Sequence, residues 1–419
     1  KMNNSFLIRS ITLSINLKDV INPEYQKLVR TNLSAIEDYF NKNSVAIRTF
    51  RFNVILGSED ISYDVNSFLQ NIRIFHEFIR STSVRWFCIS LDLARANLSV
   101  KQIKNLCKIG IEIIKKYENS FVNFIVCQEG KLVPIAVKEI SSSIIKISRL
   151  SFNGFDNFRV GVSLNPGANT PFFPFSVPSK SEGFSIALEI TKGITELLEN
   201  SINQDFYTRL ERIKNVVGEF LQKIDTISNN ISNSHNIEYF GLDASLAPYP
   251  DNKTSVVDIL LLLGLQEFGS NGTLFFTSIL TDLIKEIISF NKIKFVGFNG
   301  VMYSLLEDNL MCDANNKKLF SIDSLLAYST VCGCGIDMIP VPGNILDEEL
   351  ASVIFDVAAV SSKLNKSLGV RILPIPGGEE NEYTKFDMDF ISNTRIMKVR
   401  NICIEDRLFD EKLIKYFRT

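Results

Sequence analysis

Strand-like and helix-like runs alternate along almost the whole of this 419-residue chain, and no other feature limits its fold as strongly. Alternating or continuous apolar residues rich in Val, Ile and Phe predict strands over 6–17, 46–56, 84–93, 121–127, 159–164, 184–190, 237–244, 292–298 and 370–374. Between them, apolar residues three and four apart predict helices over 24–40, 65–80, 100–117, 134–147, 204–231, 256–265, 274–288 and 346–364. In 204–231 the stripe Leu210, Ile213, Val217, Phe220, Ile224 and Ile227 serves either packing on its own sheet or a dimer seam. Such alternation argues for a mainly parallel sheet with covered faces. About ten strand candidates suit a closed barrel at least as well as an open doubly wound sheet.

Composition narrows the partners. Hydrophobic residues make up 45% and charged residues 22%, so the chain can bury a large core, and its 32 phenylalanines are expected there. A net charge of −2 without a basic stripe argues against nucleic acid or an anionic membrane surface. The longest uncharged apolar run, 259–265, is far shorter than the roughly 20 residues of a spanning helix. The opening KMNNSFLIRS is polar and then strand-like, not a secretory signal. Seven scattered cysteines (88, 107, 127, 312, 332, 334, 403) form no disulfide framework, which points to a soluble cytoplasmic protein. No linker or repeat is visible. The Asn-rich 228–236 is the candidate boundary inside one large domain, with halves near 1–235 and 236–419.

Glycines concentrate after residue 150, so irregular loops, where function usually sits, are expected late in the chain. Gly241-Leu242-Asp243-Ala244-Ser245 ends a predicted strand, and Asp243 and Ser245 share one side of it. They either meet a ligand at a strand's carboxyl end or brace the next turn. Gly269-Ser270-Asn271-Gly272-Thr273 opens a predicted helix, as an anion site or as a plain N-cap. The loop around Asn165 and Asn169 reads as a binding lid or an ordered connection, and Glu307-Asp308 as a carboxylate pair or a solvated turn.

Cys332-Gly333-Cys334-Gly335, followed by Asp337, is the densest motif. A zinc site needs two more ligands, and neither His76 nor His235 has metal-pair spacing, so no metal is expected. GxSxG and GxGxxG are absent, which removes the hydrolase elbow and the Rossmann dinucleotide site; no cofactor is expected. The cysteines read as buried small hydrophobes or as nucleophiles.

The succession RSITLSINL, DASLAPYP, GSNGT, CGCGIDMIP, RILPIPG and MKV resembles the uncharacterised PFL-family proteins, domain-of-unknown-function family seven-one-one, from about residue 8 to 399. Asp243, Ser245, Pro248 and Pro250 match its D-x-S-L-A-P-x-P signature, and Gly269, Gly272 and Thr273 its G-x-x-G-T turn. Cys332, Gly335, Asp337 and Met338 match C-x-x-G-[IL]-D-M-I, and Arg371 and Pro374 match R-x-x-P; Cys334 lies outside the pattern, and 299–308 departs from it. The resemblance implies a ten-stranded α/β barrel of the pyruvate formate-lyase and anaerobic ribonucleotide reductase type. It would have two half-barrels and a central finger loop, for which the CGCG turn is the candidate. It also implies an ACT-domain protein as partner. No glycine follows Gly378 in this sequence, so the stored glycyl radical of such enzymes is not expected.

The expected function is binding of a small anionic metabolite. Asp243 would act as acid/base, Cys332 as nucleophile and Asp337 as a catalytic group, with Arg371 as carboxylate clamp. Ser245, Asn169, Gly272, Thr273 and Gly335 would complete the ligand site, in a homodimer or higher oligomer. A non-catalytic ligand-sensing or scaffolding oligomer is the alternative.

Overall fold

A computed structural model describes residues 5–57, 64–95, 98–251, 253–400, 404–410 and 414–415. Its strands are β1 (Leu7–Asn16), β2 (Ile47–Ile55), β3 (Val84–Asp92), β4 (Ser120–Gln128), β5 (Lys131–Leu132), β6 (Val160–Leu164), β7 (Gly183–Glu189), β8 (Glu238–Asp243), β9 (Gly335–Pro342), β10 (Leu368–Ile375) and β11 (Ile414–Lys415). They share one 11-stranded sheet in the order β8-β7-β1-β2-β3-β4-β6-β10-β9, with β5 joining β4 to β11 off this path.

Along the path a first block of five parallel strands is flanked at each end by a pair of the opposite direction, the two pairs together making the second block. β1, β2, β3, β4 and β6 run parallel to one another. β7 lies antiparallel to β1 and β10 antiparallel to β6, while β8 is parallel to β7 and β9 to β10. The reversal falls between β6 and β7, ahead of the Asn-rich 228–236 stretch.

Helices α1 (Pro23–Lys42), α2 (Val65–Ile79), α3 (Val100–Lys116) and α4 (Pro134–Ser148) make the crossovers of the first block. A capping box of Ser99 and Gln102 starts α3. α5 (Thr191–Glu199) and α6 (Phe206–His235) lead to β8. Asp205 caps α6, and Asn236, in the left-handed region, ends it. The stripe Ile213, Val217, Phe220, Ile224 and Ile227 is buried, with α6 packed on α1, α5, β8 and the later helix α8. It serves this chain's own core, not a seam. α7 (Val256–Leu263), α8 (Thr273–Phe290), α9 (Asn309–Asn316) and α10 (Ile322–Tyr328) precede β9, and α11 (Asp347–Lys363) precedes β10. Among the described residues no helix is long and apolar enough to cross a membrane.

The expected strand over 292–298 is not one. Positive φ at Lys292 (53°), Gly297 (79°) and Asn299 (50°) breaks the extended chain. Isolated parallel bridges remain, Leu242 to Phe295 and Leu246 to Val301 on one side, Ser304 to Asp337 on the other. No ladder joins β8 directly to β9 among the described residues; the 294–304 stretch touches both.

Side-chain alternation divides the first block into two faces. Ile11, Phe52, Ile89, Phe124 and Val162 join the large apolar cluster beneath the helices. The opposite face carries Ser10, Thr12, Arg51, Asn53, Cys88, Ser90, Asn123 and Gly161. Against it lies the irregular segment 165–179. Buried irregular backbone needs partners, and this face supplies them. Ser10 and Thr12 donate to the Pro171 carbonyl (both 3.5 Å), Cys88 to that of Pro174 (3.5 Å), and Ser90 (2.6 Å) and Asn123 (3.3 Å) to that of Ser176. A Cβ on Gly161 would stand 2.7 Å from Pro174, and one on Gly369 2.4 Å from the Phe175 ring. The segment that covers the sheet's polar face is therefore 165–179. The CGCG turn, expected to be the finger, instead feeds β9 at the sheet's edge. There Gly335 takes φ +97°, and a Cβ would meet the Gly369 carbonyl at 2.3 Å.

Candidate anion-binding site

A cavity of about 140 Å³ opens where β1, β2 and β3 begin. Arg9, Arg51, Trp86 and Phe121 enter it from the strands, and Phe172, Phe173 and Phe175 from the covering segment. Cys334, Asp337 and Arg371 close the side of β9 and β10, with Glu307, Met302, Tyr249 and Phe390 from neighbouring loops. Among the aromatic rings of this wall, the polar groups stand out.

Arg371 is fully engaged. Its Nε and Nη2 donate to the two Asp337 oxygens (2.6 and 2.8 Å), Nη2 also to Glu307 (2.8 Å), and Nη1 to the Phe158 carbonyl (3.1 Å). Burial pushes the Asp337 carboxyl up, and the Arg371 charge and its two-bond contact oppose that shift. Arg48 pairs with Glu189 at 2.6 Å and lies over the Tyr249 ring.

Of the five arginines that line the cavity, three have no carboxylate within ion-pair distance among the described residues: Arg9, Arg51 and Arg85. Arg51 is only 7% exposed. It sits between the rings of Trp86 and Phe173, 5.1 Å from each, and Nε donates to Thr49 Oγ1 at 3.4 Å. Its two Nη atoms have no protein acceptor among the described residues, although a buried guanidinium ordinarily has one. Burial, then the charges of Arg9 and Arg85, push Arg51 down to about 9, with Glu307 opposing. Arg9 donates to the Pro248 carbonyl (3.1 Å) and lies 6.0 Å from the Phe172 ring; Arg85 stacks 4.4 Å over Trp86. Three unpaired guanidiniums against the one surplus carboxylate of the Arg371 group leave the cavity about two positive charges in excess.

The residues singled out in the sequence divide sharply. Arg371 and Asp337 meet at the cavity, bound to each other. Asp243 is buried elsewhere as a brace: its carboxylate accepts from Ser245 N and Oγ (2.9 and 2.6 Å), Phe298 N (2.8 Å) and Asn299 N (3.1 Å). Burial pushes this carboxyl up while those donors hold it down. Ser245 in turn accepts from Gly300 N (3.2 Å). Cys332 packs in the main core, and its carbonyl accepts from Lys366 Nζ. Cys334, outside the family pattern, is the thiol that lines the cavity; burial pushes both thiols up. Asn169 secures the base of the covering segment by accepting from Ser179 N (2.8 Å). Gly272 is the N-cap residue of α8 (φ +107°), and Thr273 Oγ1 accepts from Gly269 N (3.1 Å), away from the cavity. Glu307 and Asp308 do not pair. Asp308 caps two helices at once, accepting from Ser255 Oγ (2.5 Å) and Val256 N (2.9 Å) of α7 and from Met311 N (3.1 Å) of α9.

Arg9, Arg51 and Arg85 were missed by the sequence reading, which looked to the late glycine-marked loops. A signal was present: each is an arginine inside an otherwise apolar strand stretch, in LIRSI, TFRFN and VRWF.

Fold and site together define an α/β protein with a mixed sheet and an arginine-rich, ring-walled cavity under a covering segment. The family described as "Uncharacterised ACR (DUF711)" matches residues 2–392, and the chain belongs to that family. Among curated proteins it is similar to a UPF0210 protein of Pyrobaculum aerophilum, 28% identical over 228 residues (54% of this chain, 51% of the relative). A UPF0210 protein of Acetivibrio thermocellus is 29% identical over 276 residues (65% and 61%), and one of Methanocaldococcus jannaschii 25% over 283 (67% and 60%). The chain thus spans between half and about three-fifths of the length of these relatives.

Proposed function

We propose that the cavity binds a small organic anion. The observation that carries this is Arg51, a buried guanidinium with open Nη donors, two cationic neighbours and no carboxylate partner. Desolvating an unpaired charge costs several kcal/mol, a cost that an anionic ligand offsets. Arg51 replaces Arg371 as the clamp, because all three nitrogens of Arg371 already donate within the protein.

We further infer that the sheet curls into a barrel of the pyruvate formate-lyase type. The support is two parallel blocks of opposite direction, whose outer strands β8 and β9 both bridge to 294–304. In this reading 165–179 is the central finger. Binding without turnover, as in a sensor working in an oligomer or with an ACT-domain partner, is favoured over covalent catalysis. The cavity's thiol is held protonated by burial, and its paired carboxylates grip Arg371. A thermal-shift screen of organic acids on the full chain tests the reading. Anions should raise the melting temperature of the wild type and leave Arg51→Met unmoved; equal shifts in both proteins would refute it.

A further inference from the structure

The cavity also selects among anions. We propose that its ligand is a planar, apolar-bodied organic acid of about the size of benzoate, an inference that rests on the anion-binding reading of the same site. Three features of the wall carry it.

The Arg51 guanidinium lies over the faces of the Trp86 and Phe173 rings, 5.1 Å from each centroid, and its Nη donors have no protein acceptor among the described residues. A carboxylate can take those donors as a two-bond pair while a ring-bearing body meets the aromatic part of the wall. A free inorganic anion has no body to meet that wall. Size is the second feature. A volume of about 140 Å³ is close to the cavity of about 150 Å³ that takes up benzene in an engineered protein. Nucleotides and sugar diphosphates exceed this volume.

The third feature is what the wall lacks. Beyond the charged groups much of it is aromatic, with Phe121, Phe158, Phe172 and Phe175 among its lining. The Thr49 hydroxyl already donates to the Arg9 carbonyl (3.2 Å) and accepts from Arg51, and the Ser304 hydroxyl donates to Glu307 (2.5 Å). A polyol ligand would bury hydroxyls against carbon, which is unfavourable. An aromatic or unsaturated body would meet ring edges and faces at no such cost. The carboxylate lies against Arg51 with Arg9 nearby, and the body reaches toward Phe158 and Arg371.

Calorimetric titration of the full chain with benzoate, acetate, inorganic phosphate and glycerol 3-phosphate tests this. Benzoate should bind at least tenfold more tightly than each of the other three, and Phe172→Ala should weaken benzoate severalfold while leaving phosphate unchanged. Phosphate or glycerol 3-phosphate binding as tightly as benzoate would overturn the ligand class while leaving the anion site standing. If none of the four binds to folded protein, the anion reading falls with it.

Discussion

At the scale of single residues, Arg51 sets function against stability. An unpaired buried charge weakens the ligand-free fold, so Arg51→Met is expected to stabilise it by about 1–3 kcal/mol in denaturant melts while abolishing anion binding. A clear loss of stability would make the guanidinium a structural strut instead. Arg371 behaves oppositely. Arg371→Met strands Asp337 and Glu307, both largely buried, and should cost about 3–5 kcal/mol by the same melts. Asp308→Ala removes acceptors from two helix starts and should cost about 2–4 kcal/mol. The thiols give a pH-linked expectation. Burial pushes Cys88, Cys107, Cys312, Cys332 and Cys334 up, Cys107 to about 12. The thiolate is the reactive form, and its population grows only as pH rises toward each raised pKa. Iodoacetamide at pH 8 should therefore leave these five unlabelled in native protein, as read by peptide mass. Rapid labelling of Cys334 would contradict its burial. At this scale the sequence showed which residue types recur but not their partners. Asp243 looked like a catalytic acid because four backbone and hydroxyl donors, spread over residues 245–299, are invisible in one dimension.

At the scale of elements, periodicity located most strands and helices because covered parallel strands are continuously apolar and crossover helices keep a 3.6-residue stripe. Two of the misses have local causes. The run 292–298 has strand composition, but Gly297 must take positive φ so that the chain can approach Asp243, where a Cβ would stand 2.1 Å from Oδ2. β9 escaped because Pro340 and Pro342 and the positive φ of Met338 (56°) disguise it. The stretch 165–174 was legible as turn-dense, but the role of the segment 165–179 depended on the polar face of distant strands. Its fit leaves no room at β10: Gly369→Ala should destabilise by about 1–3 kcal/mol through the Phe175 contact. A neutral Gly369→Ala in thermal melts would mean that the segment yields easily.

For the whole molecule, the two parallel blocks and the stretch that bridges their outer strands place arginines from the first block opposite the Asp337–Arg371 pair of the second. The family was readable from motifs in the second half of the chain, whereas the charged wall comes mainly from the first. Family motifs mark turns and braces here more than ligand contacts, which is why the sequence located the fold better than the site. In the proposed function Arg51 makes this cavity an anion site. Melting the wild type and Arg51→Met across a benzoate series tests it most directly. At a hundredfold excess over the dissociation constant, wild type should gain about 2.7 kcal/mol and Arg51→Met nothing. Equal gains in both proteins, or none in either, would contradict the account.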